Sequence, residues 1–423
     1  MDIAYPPEAE EFRARVRQVL AEELPPGWSG IGAVVDRDKG LAFYESWRAV
    51  LARRGLLGVT WPVEYGGAGL SALHQVVLAQ ELTRAGVPTG GINDMVSVKM
   101  IGNILLLWGT EEQKERFVPR IISNEHIWCQ GFSEPEAGSD LAGLRTRAVL
   151  DGDRWGINGQ KIWTSQAHRA NWIFVLARTD PDAAKHRGIS FLLVPVDQPG
   201  VEARPIRTMN GDSDFCEVFF DDAYTDADLV VGPVHGGWKV AKSLLGLERG
   251  EEAATMPIAF RAELDRLIEL ARARGVAKDP VIRQCLAQCH CRVEAMRHLG
   301  HRVLTQYLKG GTPGPESSVL KLFWSEYHQD VTSLALEILG DDALAPEGRG
   351  PLRTLRTTIR VRRRSPPAPG WVRSSTPGPG PSMRAPPRCS GTFSRRRSLA
   401  CPASRPGCDS PICCDLSSSV SVP

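Results

Sequence analysis

The apolar repeat of this 423-residue chain changes period twice, and each change restricts what the stretches on either side can fold into. From residue 1 to about 127 apolar side chains recur at helical spacing. Phe12, Val16, Val19, Leu20 and Leu24 mark one stripe, stopped by Pro25 and Pro26; Phe43, Trp47, Val50 and Leu51 mark another, ending at Gly55. "EYGGAGLS" is a loop that launches the helical run "LHQVVLAQELTRAG". In "GTEEQKERF", Thr110 and Gln113 stand at capping-box spacing, with Glu111 and Glu112 near the positive end of the helix dipole. The period then shortens. "RWGIN", "NWIFVLART", "GISFLLVPV", "GVEARPI" and "CEVFFDDA" are short, rich in Val, Ile and Phe, and separated by turn residues such as Asp151-Gly152 and Pro199-Gly200. Strands at this spacing predict an antiparallel sandwich or barrel.

Helical period returns after "GPVHGGWKV". One helix is expected through "WKVAKSLLGLERGEEAATM", a second over "FRAELDRLIELARARG", and a third from near Asp279-Pro280. In a last one, Leu320, Phe323, Tyr327, Val331, Leu334 and Ile338 form a bundle seam. The expected fold is α+β and multidomain: a helical N-terminal domain (1–127), a middle antiparallel β domain (128–232), a C-terminal helical bundle (233–350), and a tail (351–423).

The tail differs in kind. It holds 13 Arg, no Lys and two acids, so the net charge of +2 hides a body with 38 basic and 47 acidic side chains. Rich in Pro, Ser, Gly and Arg and without a sustained period, it has too little apolar surface to offset ordering entropy, and disorder is expected. Its composition is that of a GC-rich gene translated in a shifted frame; the alternative is a native basic tail for nucleic acid or an acidic surface. In either case only non-specific, salt-dependent nucleic-acid binding is expected of it. No apolar run approaches the roughly 18 residues of a membrane helix, so no membrane partner is expected. "MDIAYPPEAEEF" has neither the basic nor the apolar region of an export signal, so a cytoplasmic location is expected. The ten cysteines are then expected to be reduced thiols. "CLAQCHC" lies in a helical pattern with no second Cys/His pair at ligand spacing, so no metal site is expected.

"GFSEPEAGSDLAG", residues 131–143, packs two serines, two glutamates, an aspartate, a proline and three glycines into thirteen positions, too turn-rich for a regular element. A metal would need histidine or cysteine to join Glu134, Glu136 and Asp140, and a phosphate would need a helix directly after the glycines. Composition alone also fits an inter-domain turn in which Glu134 and Asp140 accept backbone N–H groups. A second candidate lies on the first helix after the strands. Trp238, Ala241, Leu245 and Glu248 fall on one stripe, where a carboxylate is partly desolvated and its pKa rises toward that of a general base. The same position also suits a marginal charge paired with a nearby arginine.

The order of these motifs closely resembles the acyl-CoA dehydrogenase family. "WCQGFSEPEAGSDLAGLRTRA" and "DGDRWGINGQKIWTSQAHRANWIFVLARTD" carry the likeness; "WPVEYGGAGLS", "GTEEQKERFVPRI", "GISFLLVPVDQPGVEARPI" and "GWKVAKSLLGLERG" extend it from residue 1 to about 350. The resemblance implies FAD as cofactor, held by Phe132, Ser133, Gly138, Trp163, Thr164 and Ser165. It implies that Ser139 and Arg249 contact the acyl-CoA substrate, and that Glu248, in the Leu-Glu-Arg pattern of some members, takes the α-proton while the β-hydride goes to flavin N5. It further implies an electron-transferring flavoprotein as electron acceptor and a homo- or hetero-oligomer that completes the FAD site. The family's Arg-x-x-Phe-Gly motif, its Gln-rich Gly-Gly segment and its last helix have no counterpart here. This pattern resembles actinobacterial members acting on steroid side chains, some of which are α2β2 assemblies. Two alternatives follow: an inactive or partner subunit of a heteromeric enzyme, and a flavin acyl-CoA oxidase.

Overall fold

The structure, a computed structural model, describes residues 5–34, 36–208, 212–247, 249–309 and 316–344. The disorder and shifted frame expected for the tail lie outside these residues.

Helices build the N-terminal region, and their ends carry the expected chemistry. Helix α1 (Pro7–Glu23) has proline in its first turn, where a missing N–H costs nothing. Asp36 caps α2 (Arg37–Arg53) by accepting from the Lys39 amide, and Gly86 closes α3 (Ala72–Ala85) in the left-handed region. A single turn, α4 (Asp94–Val96), passes into a π-helical stretch, Ser97–Gly102, and then into α5 (Asn103–Trp108). Helix α6 (Glu111–Ile122) makes both halves of the capping box between Thr110 and Gln113. Arg48 of α2 crosses the buried interior to Asp94 at 2.9 Å, and donates to the Ile121 and Ile122 carbonyls at 2.6 and 3.1 Å.

Seven strands form one sheet: β1 (Trp128–Gly131), β2 (Arg147–Asp151), β3 (Arg154–Ser165), β4 (Trp172–Arg178), β5 (Ile189–Pro195), β6 (Val201–Ile206) and β7 (Phe215–Asp226). The order is β1-β4-β2-β3-β7-β6, with β5 also on β4. The strand periodicity marks β3 to β7, while β1 and β2 go unmarked because they are four and five residues long. Pairing is antiparallel except that β1, and the first residue of β2, run parallel to β4.

Strands β4 and β5 are apolar on consecutive residues rather than alternate ones because both faces are covered. Phe174, Leu176, Phe191 and Leu193 join the N-terminal helices in one core, together with Val240, Ala241 and Leu244. Ile173, Val175, Leu192 and Val194 join the opposite face, with Trp155, Ile157 and Val218. The sheet therefore shares its inner face with helices from both ends of the chain.

The last region comprises α7 (Gly237–Leu247), α8 (Arg249–Ala273), α9 (Pro280–Leu308) and α10 (Glu316–Leu339). Leu320, Tyr327, Val331, Leu334 and Ile338 are buried as the seam requires. The break expected between "EEAATM" and "FRAEL" is absent: α8 runs through Pro257. Pro257 has no N–H to give the Ala253 carbonyl, and α9 comes close at that point. A Cβ on Gly300 would stand 2.2 Å from the Ala253 oxygen. The missing side chain at Gly300 lets α9 pass close to the carbonyl that Pro257 leaves without its helical donor.

Candidate functional site

The turn-rich segment after β1 lies along β3. The Ser133 carbonyl accepts from the Ile162 amide at 2.9 Å, and residues 134–137 close a two-way bridge between Glu134 and Ala137. Glu134 is buried. Its two oxygens accept from the Arg145 and Thr146 amides at 2.6 and 2.9 Å, and one also accepts from Lys161 Nζ at 2.8 Å. The backbone-bonding turn anticipated from composition is therefore present at Glu134. Asp140 does something else: it pairs with Lys185. The far end of the loop is further tied by Arg178, which donates to the Ala142 carbonyl at 2.8 Å.

Lys161 is the side chain that sequence reasoning missed. It is 0 % exposed and donates to three oxygens: Glu134 Oε1, the Phe132 carbonyl at 3.1 Å and the Leu176 carbonyl at 2.8 Å. Three acceptors require three N–H bonds, so this is the ammonium form. Burial pulls its pKa down to about 8, opposed by the charge of Glu134. Burial alone would raise Glu134; the Lys161 charge and the hydrogen bonds from Lys161, Thr146 and Arg145 outweigh it and hold the carboxyl below its usual range. Both groups are charged at neutral pH. The available signal was a lysine on an inward-facing position of "GQKIW", with an acid in the loop beside it.

Strand β3 is irregular next to this pair. The pairing with β7 slips between Ile157 and Gly159, and again between Lys161 and Thr164. The first slip needs glycine: φ is +150°, and a Cβ on Gly159 would meet Thr146 at 2.6 Å. The second throws Trp163 outward. Its φ is 59°, a conformation that non-glycine residues rarely hold and that clusters at functional sites. The indole is 56 % exposed, with the Phe215 ring edge-on at 6.1 Å. Beside it the Thr164 hydroxyl is buried and has no hydrogen-bond partner among the described residues. An outward-facing aromatic plane next to an unsatisfied hydroxyl suits a flat ligand with a polar edge.

The sequence-derived residues fall into three groups. Phe132, Ser133, Trp163, Thr164 and Ser165 are brought together along one edge of β3. The Phe132 ring, however, is core, packed against Phe174 and Phe191, and the Phe132 and Ser133 carbonyls are already taken by Lys161 and Ile162. Each carbonyl keeps a second lone pair, and the Ser133 hydroxyl adds a side-chain donor and acceptor. Gly138 and Ser139 are exposed in the outer loop, and a Cβ on Gly138 would meet nothing. On α7, Trp238 lies against His186 at 4.9 Å, and Ala241 is buried in the shared core. Glu248 lies outside the described residues, between the end of α7 and the start of α8; Arg249 opens α8, and its side chain is also outside them. Among the described residues no group of three His, Cys, Asp or Glu is placed to hold a metal, and no helix is long and apolar enough to cross a membrane.

Comparison with known proteins places the chain among others with this architecture. The family models for the N-terminal, middle and C-terminal domains of acyl-CoA dehydrogenase match residues 6–125, 129–223 and 235–363. Acyl-CoA dehydrogenase IpdE1 of Mycobacterium tuberculosis is 42% identical over 351 residues, covering 81% of this chain and 89% of that protein. The solved Tcur3481-Tcur3483 steroid ACAD superposes with a TM-score of 0.70 at 35% identity, covering 84% of this chain and 90% of that one. The ChsE4-ChsE5 complex from Mycobacterium tuberculosis gives 0.68 at 30% identity, covering 84% and 91%.

Proposed function

Because the chain belongs to the acyl-CoA dehydrogenase family of FAD-dependent oxidoreductases, we propose that it oxidises a bulky acyl-CoA thioester between Cα and Cβ, with Glu248 as the base. The observation that carries this reading is the β3 bulge: an exposed Trp163 beside the buried, unpartnered Thr164 hydroxyl. These residues fit the isoalloxazine of FAD, an aromatic plane whose edge needs hydrogen bonds. FAD held there would supply the acceptor for the β-hydride.

The chain's own residues do the rest. Trp163 offers a face for the ring. Thr164, Ser165 and the Ser133 hydroxyl offer polar contacts to its edge, where hydrogen bonds favour the electron-rich reduced form. Ser139 and Arg249 contact the thioester ligand. By sequence spacing Glu248 continues the stripe of Trp238 and Ala241, and a carboxylate next to apolar surface would be a stronger base than one in water. An electron-transferring flavoprotein is the proposed redox partner.

The substrate class rests on the relatives. A steroid ACAD is among the solved structures at 35% identity, which supports a large, polycyclic acyl group. Two of the similar structures carry two differently named chains, and α10 turns Val319, Leu322 and Leu336 outward on one face. Together these support burial of that face against a second chain of the same fold, and they favour a second reading in which this chain is the partner subunit that completes another chain's site.

The deciding experiment mixes the protein, FAD and acyl-CoAs without oxygen and follows the visible flavin band. Bleaching by a steroid-derived acyl-CoA, with slow recovery in air, is expected; fast recovery in air indicates an oxidase. Glu248→Gln should retain FAD and ligand but slow bleaching by roughly 10²- to 10⁴-fold, the range for a general base. Normal bleaching by that variant overturns the base assignment. No bleaching by the wild type, alone or with a co-expressed partner, overturns the activity.

A further inference from the structure

We infer that the buried Lys161–Glu134 pair is a positioning device, which fixes the Phe132–Ser133 segment against the bulged Trp163–Ser165 turn and so sets the two edges of the proposed flavin site relative to each other. The inference rests on that reading of the site and deepens it.

The geometry is that of a strut. Lys161 reaches three segments at once: its own strand β3, the loop through Phe132 O and Glu134, and β4 through Leu176 O. Glu134 extends the connection to the entry of β2 through the Arg145 and Thr146 amides. Lys161 stands two residues before Trp163, and Glu134 one residue after Ser133. The pairing of β3 with β7 is broken between Lys161 and Thr164, so the ladder does not hold the turn there. The ion pair holds it instead. Ile162, between the strut and the bulge, repeats the tie by donating to the Ser133 carbonyl. A buried ion pair is a poor source of stability, because apolar residues of the same size serve as well. What it supplies is direction: a tetrahedral ammonium with three fixed acceptors specifies the spacing of three strand edges in a way that an apolar side chain does not. Neither charged group needs to touch the ligand, and the pair carries no net charge, so its effect is geometric.

Two measurements test this. The first uses the wild-type chain stripped of flavin. In native-state hydrogen exchange, the Arg145 and Thr146 amides should open only with global unfolding. Exchange through local opening, well ahead of the core strands, would mean that the strut does not hold, and would overturn the inference without reference to FAD. The second uses the charge-neutral double variant Lys161→Met/Glu134→Gln, compared with wild type under conditions of equal urea stability. Exchange in residues 131–137 should accelerate, and FAD should bind roughly 10- to 100-fold more weakly, the scale seen when the partners supporting a bound group are removed. The fine structure of the flavin band should also broaden. Lys161→Arg should not rescue, because a planar guanidinium does not match three tetrahedrally arranged acceptors. A double variant with wild-type FAD affinity, spectrum and loop exchange would overturn the inference. If the wild type itself holds no FAD, the proposed function fails while the exchange measurement still decides the strut.

Discussion

The N-terminal and middle regions bury charge in one way, and the C-terminal bundle in another. Around the sheet, every bond that Lys161 can donate has an acceptor, and Arg48 is shared between Asp94 and two carbonyls. In the bundle, the buried Nη2 of Arg266 and Nε of Arg274 have no partner among the described residues. Burial lowers the Arg266 pKa, against the opposing charges of Glu263 and Glu269. The difference teaches where geometry matters. It concerns buried cations: Lys161 and Arg48 are held by acceptors, while the open bonds of those regions fall on uncharged groups such as the Thr164 hydroxyl and the Trp128 indole.

Replacing one partner in each region is the sharpest way to break this contrast. Arg48→Met leaves Asp94 buried and unpaired and frees two carbonyls; it should cost about 3–5 kcal/mol in a urea melt. A loss under about 1 kcal/mol would mean that the network is slack. Gly300→Ala should come next. The new methyl is driven into the Ala253 oxygen at 2.2 Å, and overpacking of this kind costs about 1–3 kcal/mol. Because the contact lies between α9 and α8, exchange should accelerate in both helices and not in the sheet. Arg266→Leu should change stability by less than about 1 kcal/mol, in either direction, since it removes an unsatisfied donor along with its charge. A large loss there would show that the guanidinium has a partner and that the two regions are alike.

The same contrast explains what was legible in the sequence. Local signals were readable: the capping box at Thr110 and Gln113, the strand runs from β3 to β7, the seam of α10, and the acid of "SEPEAG" that accepts backbone N–H groups. Each is written in neighbouring residues. Long-range compensation was not readable. Pro257 reads as a stop because the glycine that lets α9 approach lies 43 residues later, and the partners of Lys161 are not written beside it, because they come from β4 and from a loop 27 residues earlier. The candidate site divides along the same line. The bulge residues were named from motif order, but the strained backbone of Trp163 has no local sequence mark, since nothing around it is glycine. The base at Glu248 remains a proposal drawn from its stripe and its Leu-Glu-Arg context.

The smallest expected effect is a difference in pH response between the two regions. His126, between α6 and β1, lies among Phe117, Trp128 and Trp172, and burial pushes it down to about 4, with Arg120 and Arg116 adding to the shift against Glu125. Its contribution to stability is complete above the ordinary value near 6.5 and is lost as pH falls through about 4, because the unfolded chain then binds the extra proton. His328 in the bundle is shifted the opposite way: the hydrogen bond to Glu263, at 3.4 Å, outweighs burial and raises it. Its contribution is complete below 6.5 and is lost as pH climbs through the raised value. Urea midpoints across the pH range should therefore fall less on the acid side in His126→Phe, and less on the alkaline side in His328→Gln, than in wild type. If each substitution flattens the wrong side, the two histidines have exchanged roles and the polarity assigned to their regions is inverted. If neither flattens either side, carboxylates alone set the profile, and the contrast rests on the arginine variants.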